Sequence, residues 1–167
     1  AREVSLADLK EMKDNVDIEI ESFVHGSMCI SYSGRCLLSN YMTGNRDANR
    51  GQCSQSCRWK YSLVESNRPG EYYPIEEDEH GTYIFNSKDL CLIHRIPDLY
   101  EAGIDSLKIE GRMKSVHYCA TVAKVYRTAI DTYLKEGKDW YVRPEWIAEL
   151  EKISHRPYTD GFAEGRP

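Results

Sequence analysis

The sequence predicts an α/β fold interrupted by a cysteine-rich β region. Strand-period and helix-period segments alternate at both ends of the chain, four of its six cysteines crowd between residues 28 and 59, and short extended segments follow them in a meander. At 167 residues the chain is about one ordinary domain, with enough apolar content to close a core without disulfide staples.

Taken in order, "AREVS" reads as the end of a strand. "SLADLKEMK" follows as a helix, with Ser5 as N-cap and Leu6, Leu9 and Met12 at helical spacing. "VDIEIESFVHG" sets Ile18, Ile20, Ser22 and Val24 on one face and Glu19, Glu21, Phe23 and His25 on the other, a strand ending at Gly26. Beyond the cysteines, "RWKYSLVES", "EYYPI" and "TYIFNS" are expected as short strands. "IPDLYEAG" is a short helix closed by Gly103, and "IDSLKIEG" a strand. Residues 115–136 form a long helix with Cys119, Val122, Ala123, Tyr126, Ile130 and Tyr133 along one face, and "RPEWIAELEKI" a last helix introduced by Pro144. The alternation implies a mainly parallel sheet. In such sheets chemistry sits at the carboxyl ends of strands, which singles out His25, Glu110 and Arg112.

No basic and apolar leader opens the sequence, and no apolar run reaches membrane-spanning length, so the expectation is a soluble, cytoplasmic protein. Cysteines in that setting are ligands, nucleophiles or core residues rather than disulfides. The net charge of −5 excludes a generally basic nucleic-acid binder. The charge is unevenly spread, however. Glu76, Glu77, Asp78 and Glu79 form an acidic run, while Arg46, Arg50, Arg58 and Lys60 crowd the cysteine segment.

Six residues separate Cys29 from Cys36, sixteen lead on to Cys53 and three more to Cys57; Cys91 follows much later in "NSKDLCLIH". Four thiolates converging on one point serve tetrahedral zinc or an iron–sulfur cluster. Zinc knots use tight pairs, and only Cys53 and Cys57 are near that spacing. Irregular spacing among Gly34, Gly44 and Gly51 fits a cluster cradled by loops somewhat better. Cys119, on the apolar helix face, reads as a core residue. There is no H-E-x-x-H and no G-x-S-x-G; a His25–Cys29 dyad, or a zinc site of Glu21, His25 and Cys29, is not diagnostic on spacing alone.

The run "FVHGSMCISYSGRCLLSNYMTGNRDANRGQCSQSCRWKY", with "GTYIFNSKDLCLI", "AGIDSLKIEGRMKSVHYCATVAKVYRTAID" and "HRPYTDGF", resembles unassigned-peptidase family 32, the collagenase-like proteins. The linker containing "RPGEYY" looks most like the branch of prephenate-dependent tRNA uridine hydroxylases. The resemblance implies the C-terminal part of a (β/α) TIM-like barrel with a cysteine-rich β insert. Residues 1–27 and 93–167 would then be barrel units and 28–92 the insert, in a chain truncated from a longer protein whose N-terminal half barrel is missing.

It implies further that Cys29, Cys36 and Cys53 hold a [4Fe–4S] cluster, with Cys57 or Cys91 as the fourth ligand and zinc as the alternative occupant. On the hydroxylase reading, Arg35, Arg50 and Arg58 would bind RNA phosphate or a prephenate-like dicarboxylate, since guanidinium forks match both. Tyr32 and Trp59 would stack on an extruded base. Lys108, Glu110 and Arg112 share one face of "SLKIEGRMK", with Glu110 as general base. The competing expectation is a collagenase-type peptidase acting on peptide or collagen. An exposed sheet edge in a half barrel would favour a homo-oligomer or a partner.

Overall fold

The computed structural model describes residues 1–29, 31–44, 46–59, 62–63, 66–67, 69–70, 73–74 and 88–165. Lys60, the acidic run at 76–79, most of "EYYPI" and all of "TYIFNS" lie outside them. Two units make up the chain: residues 1–28 with 88–167, and residues 29–87.

The first unit opens with helix α1, Leu6–Asn15, started by a reciprocal capping box: Ser5 Oγ accepts the Asp8 N–H at 3.1 Å and Asp8 accepts the Ser5 N–H at 3.0 Å. Strand β1, Glu21–Ser27, follows. After the second unit come β4 (Asp89–Cys91), α3 (Ile96–Glu101), β5 (Ser106–Glu110), α4 (Val116–Glu136), α5 (Pro144–Glu151) and β6 (Tyr158–Thr159). The second unit holds α2 (Leu37–Thr43) and the antiparallel pair of β2 (Ser62–Leu63) with β3 (Tyr73–Pro74).

The strands of the first unit form one sheet in the order β5-β1-β4-β6. β1 runs parallel to β5 and β4 parallel to β6, but β1 and β4 are antiparallel. The sheet is therefore mixed, not mainly parallel as the alternation of elements implied. Its two parallel pairs join strands that are not consecutive, and periodicity carries no information about that pairing. Residues 1–4 contain no strand, although the Phe23 N–H reaches the Ala1 carbonyl at 3.4 Å.

The core lies between this sheet and the helices, built from Val24, Leu92, Ile93, Leu99, Val122 and Leu150 among others. α4 starts on Ser115, whose hydroxyl accepts the Tyr118 N–H at 3.1 Å. It buries Tyr118, Val122, Val125, Tyr126 and Ala129. That stripe is turned from the one the sequence suggested: Ala123 faces solvent, because spacings of four and three from Tyr118 define the face that meets the sheet.

Strand β1 changes register against β5 between Phe23 and His25, and Gly26 then pairs with Glu110. At φ +110° Gly26 has a conformation that side chains rarely adopt, and a Cβ there would stand 2.2 Å from the Glu110 carbonyl oxygen. Gly26→Ala is therefore expected to lower the unfolding free energy by about 3 kcal/mol or more, measured by urea denaturation. An unchanged midpoint would show that the two strands do not approach this closely.

Candidate functional site

Within the first unit, the polar residues of the core meet where β1 and β4 run side by side. His25 and Cys91 are register partners there. His25 is fully buried and lies two residues inside β1 rather than at its end, because Gly26 and Ser27 continue the strand by pairing with Leu90 and Asp89. The Tyr126 hydroxyl, rising from α4, donates to the Val24 carbonyl at 2.8 Å and accepts the Leu92 N–H at 3.1 Å. Its one proton is thus committed, so the contact with His25 Nδ1 at 3.4 Å has the ring donating. That assigns the Nδ1–H tautomer and leaves Nε2 as a buried lone pair, with no partner among the described residues.

Around His25 stand the rings of Tyr118, Tyr126 and Tyr158, at centroid distances of 6.1, 5.5 and 5.4 Å. Burial lowers the His25 pKa to about 4, with Asp89 opposing and His155 and Lys114 adding to the shift. Burial also raises the pKa of all three tyrosines and of the Cys91 thiol. Asp89 is fully buried. It faces Lys114 Nζ and Arg156 Nε, each at 3.5 Å, and accepts the Arg156 N–H at 3.3 Å. Lys114 in turn donates to the Ser154 carbonyl at 2.9 Å and lies 4.7 Å over the Tyr118 ring. Sequence reasoning passed over Asp89, Lys114, Tyr118 and Tyr158; the one available signal was an acid set in the apolar run "DLCLI".

Glu110 closes β5, where its Oε1 accepts the Arg112 N–H at 3.1 Å, and Arg112 itself is exposed in the turn that follows. The Lys108 ammonium is engaged by Glu21 at 2.5 Å and lies 5.4 Å over the Phe23 ring. Cys119 donates to the Gly111 carbonyl at 3.8 Å and packs against the core.

In the second unit, Cys29, Cys36 and Cys53 are half-buried thiols and Cys57 is buried. Cys29 Sγ lies 3.9 Å from Ser31 Oγ, Cys36 occupies the N-cap of α2, and Cys57 sits in the 3-10 turn Ser56–Arg58. Gln55 takes a left-handed φ of 57°, its N–H meeting Cys53 Sγ at 3.4 Å while its side-chain carbonyl accepts from Arg58 at 2.8 Å. Arg35 lies 5.6 Å over the exposed Tyr32 ring, Arg50 pairs with Asp47 at 3.7 Å, and Trp59 is exposed.

Four thiols, one already receiving a backbone N–H, are a donor set whose chemistry fits a soft metal or a cluster. As placed, no three His, Cys, Asp or Glu side chains among the described residues stand within range of one ion. Among those residues no helix is long and apolar enough to cross a membrane.

The profile of peptidase family U32 matches residues 1–167. The chain belongs to that family. Along its whole length it is 52% identical to tRNA hydroxylation protein P1 of Bacillus subtilis, covering 39% of that protein. Over 97% of its length it is 42% identical to tRNA hydroxylation protein P of Escherichia coli, covering 44% of it. With 23S rRNA 5-hydroxycytidine C2501 synthase of Escherichia coli the identity is 35% over 99% of the chain, which covers 25% of that relative. The U32 chain thus spans less than half the length of these relatives. No solved structure matches it.

Because the His25 pKa is depressed in the fold, protonation favours the unfolded chain, and the stability that neutral His25 contributes is complete above pH 6.5 and lost as pH falls toward 4. By pH 4.5 the loss should be on the order of 2–3 kcal/mol. Urea unfolding at pH 7 and 4.5 checks it: His25→Gln should show a smaller acid loss than the parent, and equal losses would contradict the burial argument.

Proposed function

We propose that this chain is the cysteine-bearing part of an iron–sulfur-dependent, oxygen-independent RNA hydroxylase, with tRNA wobble uridine as substrate. The observation that carries the reading is 52% identity, along the whole chain, to a protein named for tRNA hydroxylation. The rRNA hydroxycytidine synthase shares the same region, which supports RNA hydroxylation as the common activity. The parallel pairs β1–β5 and β4–β6 suit a first unit that is the C-terminal part of a (β/α) TIM-like barrel, with the second unit as its cysteine-rich insert, whereas the antiparallel β1–β4 pair departs from the all-parallel strands of such a barrel.

Cys29, Cys36 and Cys53 would hold a [4Fe–4S] cluster, and Cys57 is the preferred fourth ligand because it shares their unit; Cys91 lies in the core of the other. A bound cluster supplies one-electron chemistry without oxygen. The chain's own residues then bind and orient. Arg35, Arg50 and Arg58 carry the guanidinium forks suited to RNA phosphate or a prephenate-like dicarboxylate, and the exposed Tyr32 and Trp59 rings suit stacking on an unpaired base. Glu110, at the carboxyl end of β5, is the candidate base, with Lys108 and Arg112 beside it in sequence. His25, buried and neutral at pH 7, is a core histidine and not an acid for this chemistry.

The peptidase reading rests on the name of the family alone. Metal and sulfide analysis on anaerobically purified protein separates the two. About four irons and four sulfides per chain, lost in Cys57→Ala and retained in Cys91→Ala, are expected. Stoichiometric zinc, or gelatin cleavage by purified protein, would favour the peptidase or a structural zinc site instead. Cys53→Ala in the longer protein should abolish hydroxyuridine in tRNA, read by mass spectrometry of nucleosides.

A further inference from the structure

Helix α2 is turned inside out. Ser39 is 0% exposed, while Leu37 and Tyr41, one turn apart on the same face, are each 84% exposed. The inward polar contact is specific: Ser39 Oγ accepts the Ser54 N–H at 2.9 Å and lies 3.1 Å from Ser54 Oγ, so the helix is pinned to the loop between Cys53 and Cys57 by its polar side. A surface helix ordinarily presents the reverse arrangement. An aromatic and a leucine held outward on a short anchored helix form a built contact surface, not a loose end.

Charge in the sequence on either side of the helix indicates what it contacts. Between residues 28 and 60 the sequence has five basic residues, Arg35, Arg46, Arg50, Arg58 and Lys60, against the single acid Asp47, a net charge of +4 in a chain whose total is −5. Asp47 is itself occupied, accepting from Asn40 at 3.3 Å and pairing with Arg50 at 3.7 Å. Arg35 stands two residues before α2, and Arg46 three residues after it; both are exposed. An apolar and aromatic face flanked by arginines in an otherwise acidic protein matches a polyanion whose bases are unstacked and available, which is single-stranded RNA. A neutral protein surface would need no such concentration of positive charge.

We infer that the outward face of α2, Leu37 and Tyr41 with Arg35 and Arg46 at its ends, is a docking platform for the unpaired loop of a structured RNA, with Tyr41 stacking on a base and the arginines on phosphates. The inference rests on the RNA reading of the protein and adds the surface through which the RNA is held.

Fluorescence anisotropy with a labelled RNA hairpin, against a fully paired duplex of equal length, tests it in the intact chain. The hairpin should bind more tightly than the duplex. Tyr41→Ala and Leu37→Ala should each weaken it, Tyr41→Ala by roughly tenfold, and Tyr41→Phe should restore binding. Arg46→Gln should reduce the slope of log affinity against log salt by about one, and Tyr41→Ala should leave that slope unchanged. Circular dichroism of each variant establishes that it is folded, and all three substituted side chains are solvent-exposed.

Hairpin binding unaffected by Tyr41→Ala and Leu37→Ala overturns the platform while the RNA reading stands. Absence of hairpin preference in the parent chain also overturns it. Self-association of the parent, abolished by Leu37→Ala with RNA affinity unchanged, makes the face a protein interface and overturns it too. Zinc in place of a cluster, with RNA binding still lost in Tyr41→Ala, would sink the hydroxylase reading and leave the platform.

Discussion

The first unit depends on one hydroxyl. Tyr126 comes from α4 and reaches backbone groups of both central strands, donating to Val24 on β1 and accepting from Leu92 just past β4. Val24 and Leu92 also bond to each other, at 2.9 Å, so the phenol completes a three-cornered arrangement of groups that water does not reach. Buried backbone donors and acceptors must find partners, and here a side chain supplies a share of the pairing that joins the helix layer to the sheet. The net value of such a bond is about 1 kcal/mol, but its geometric effect is larger, because it aligns α4 over the β1–β4 pair.

Much of the local chemistry follows from that placement. With its proton given to Val24, Tyr126 can only accept from His25, which decides the imidazole tautomer and leaves Nε2 without a hydrogen-bond partner among the described residues. A ring in that position is costly to charge. Asp89, equally buried, keeps its charge company with Lys114 and Arg156. The result is a polar cluster built from four different elements and the turns beside them. On the other side of β1, the Gly26 backbone lies so close to Glu110 that no side chain fits between them. This brings the carboxyl end of β5 against the end of β1.

The second unit follows another logic. Its thiols sit in loops and a 3-10 turn, and helix α2 turns a serine inward and an apolar face outward. Such a segment contributes little to a core of its own and much to a surface. In a U32 chain that spans less than half of its relatives, these residues have the composition of a binding region: soft sulfur donors, exposed aromatic rings and arginines in an acidic protein.

What the sequence determined by itself is local. The Ser5 cap, the stop at Gly103, Pro144 opening α5, the helices of the first unit and its strands β1 and β5 were legible, because caps and periodicity act over a few neighbouring residues, whereas the short strands β4 and β6 were not. The cysteine motif, with the runs on either side of it, was also sufficient for the family. Only the tertiary structure decided the direction of β4 against β1, the burial of His25 inside a strand that continues past glycine, the turn of the buried stripe on α4, and the outward face of α2. Each of these depends on which distant segment lies opposite. Asp89 illustrates the reason: its apolar neighbours in the sequence hint at burial but name no partner, and it becomes a buried anchor only when Lys114 and Arg156, 25 and 67 residues further along the chain, close over it.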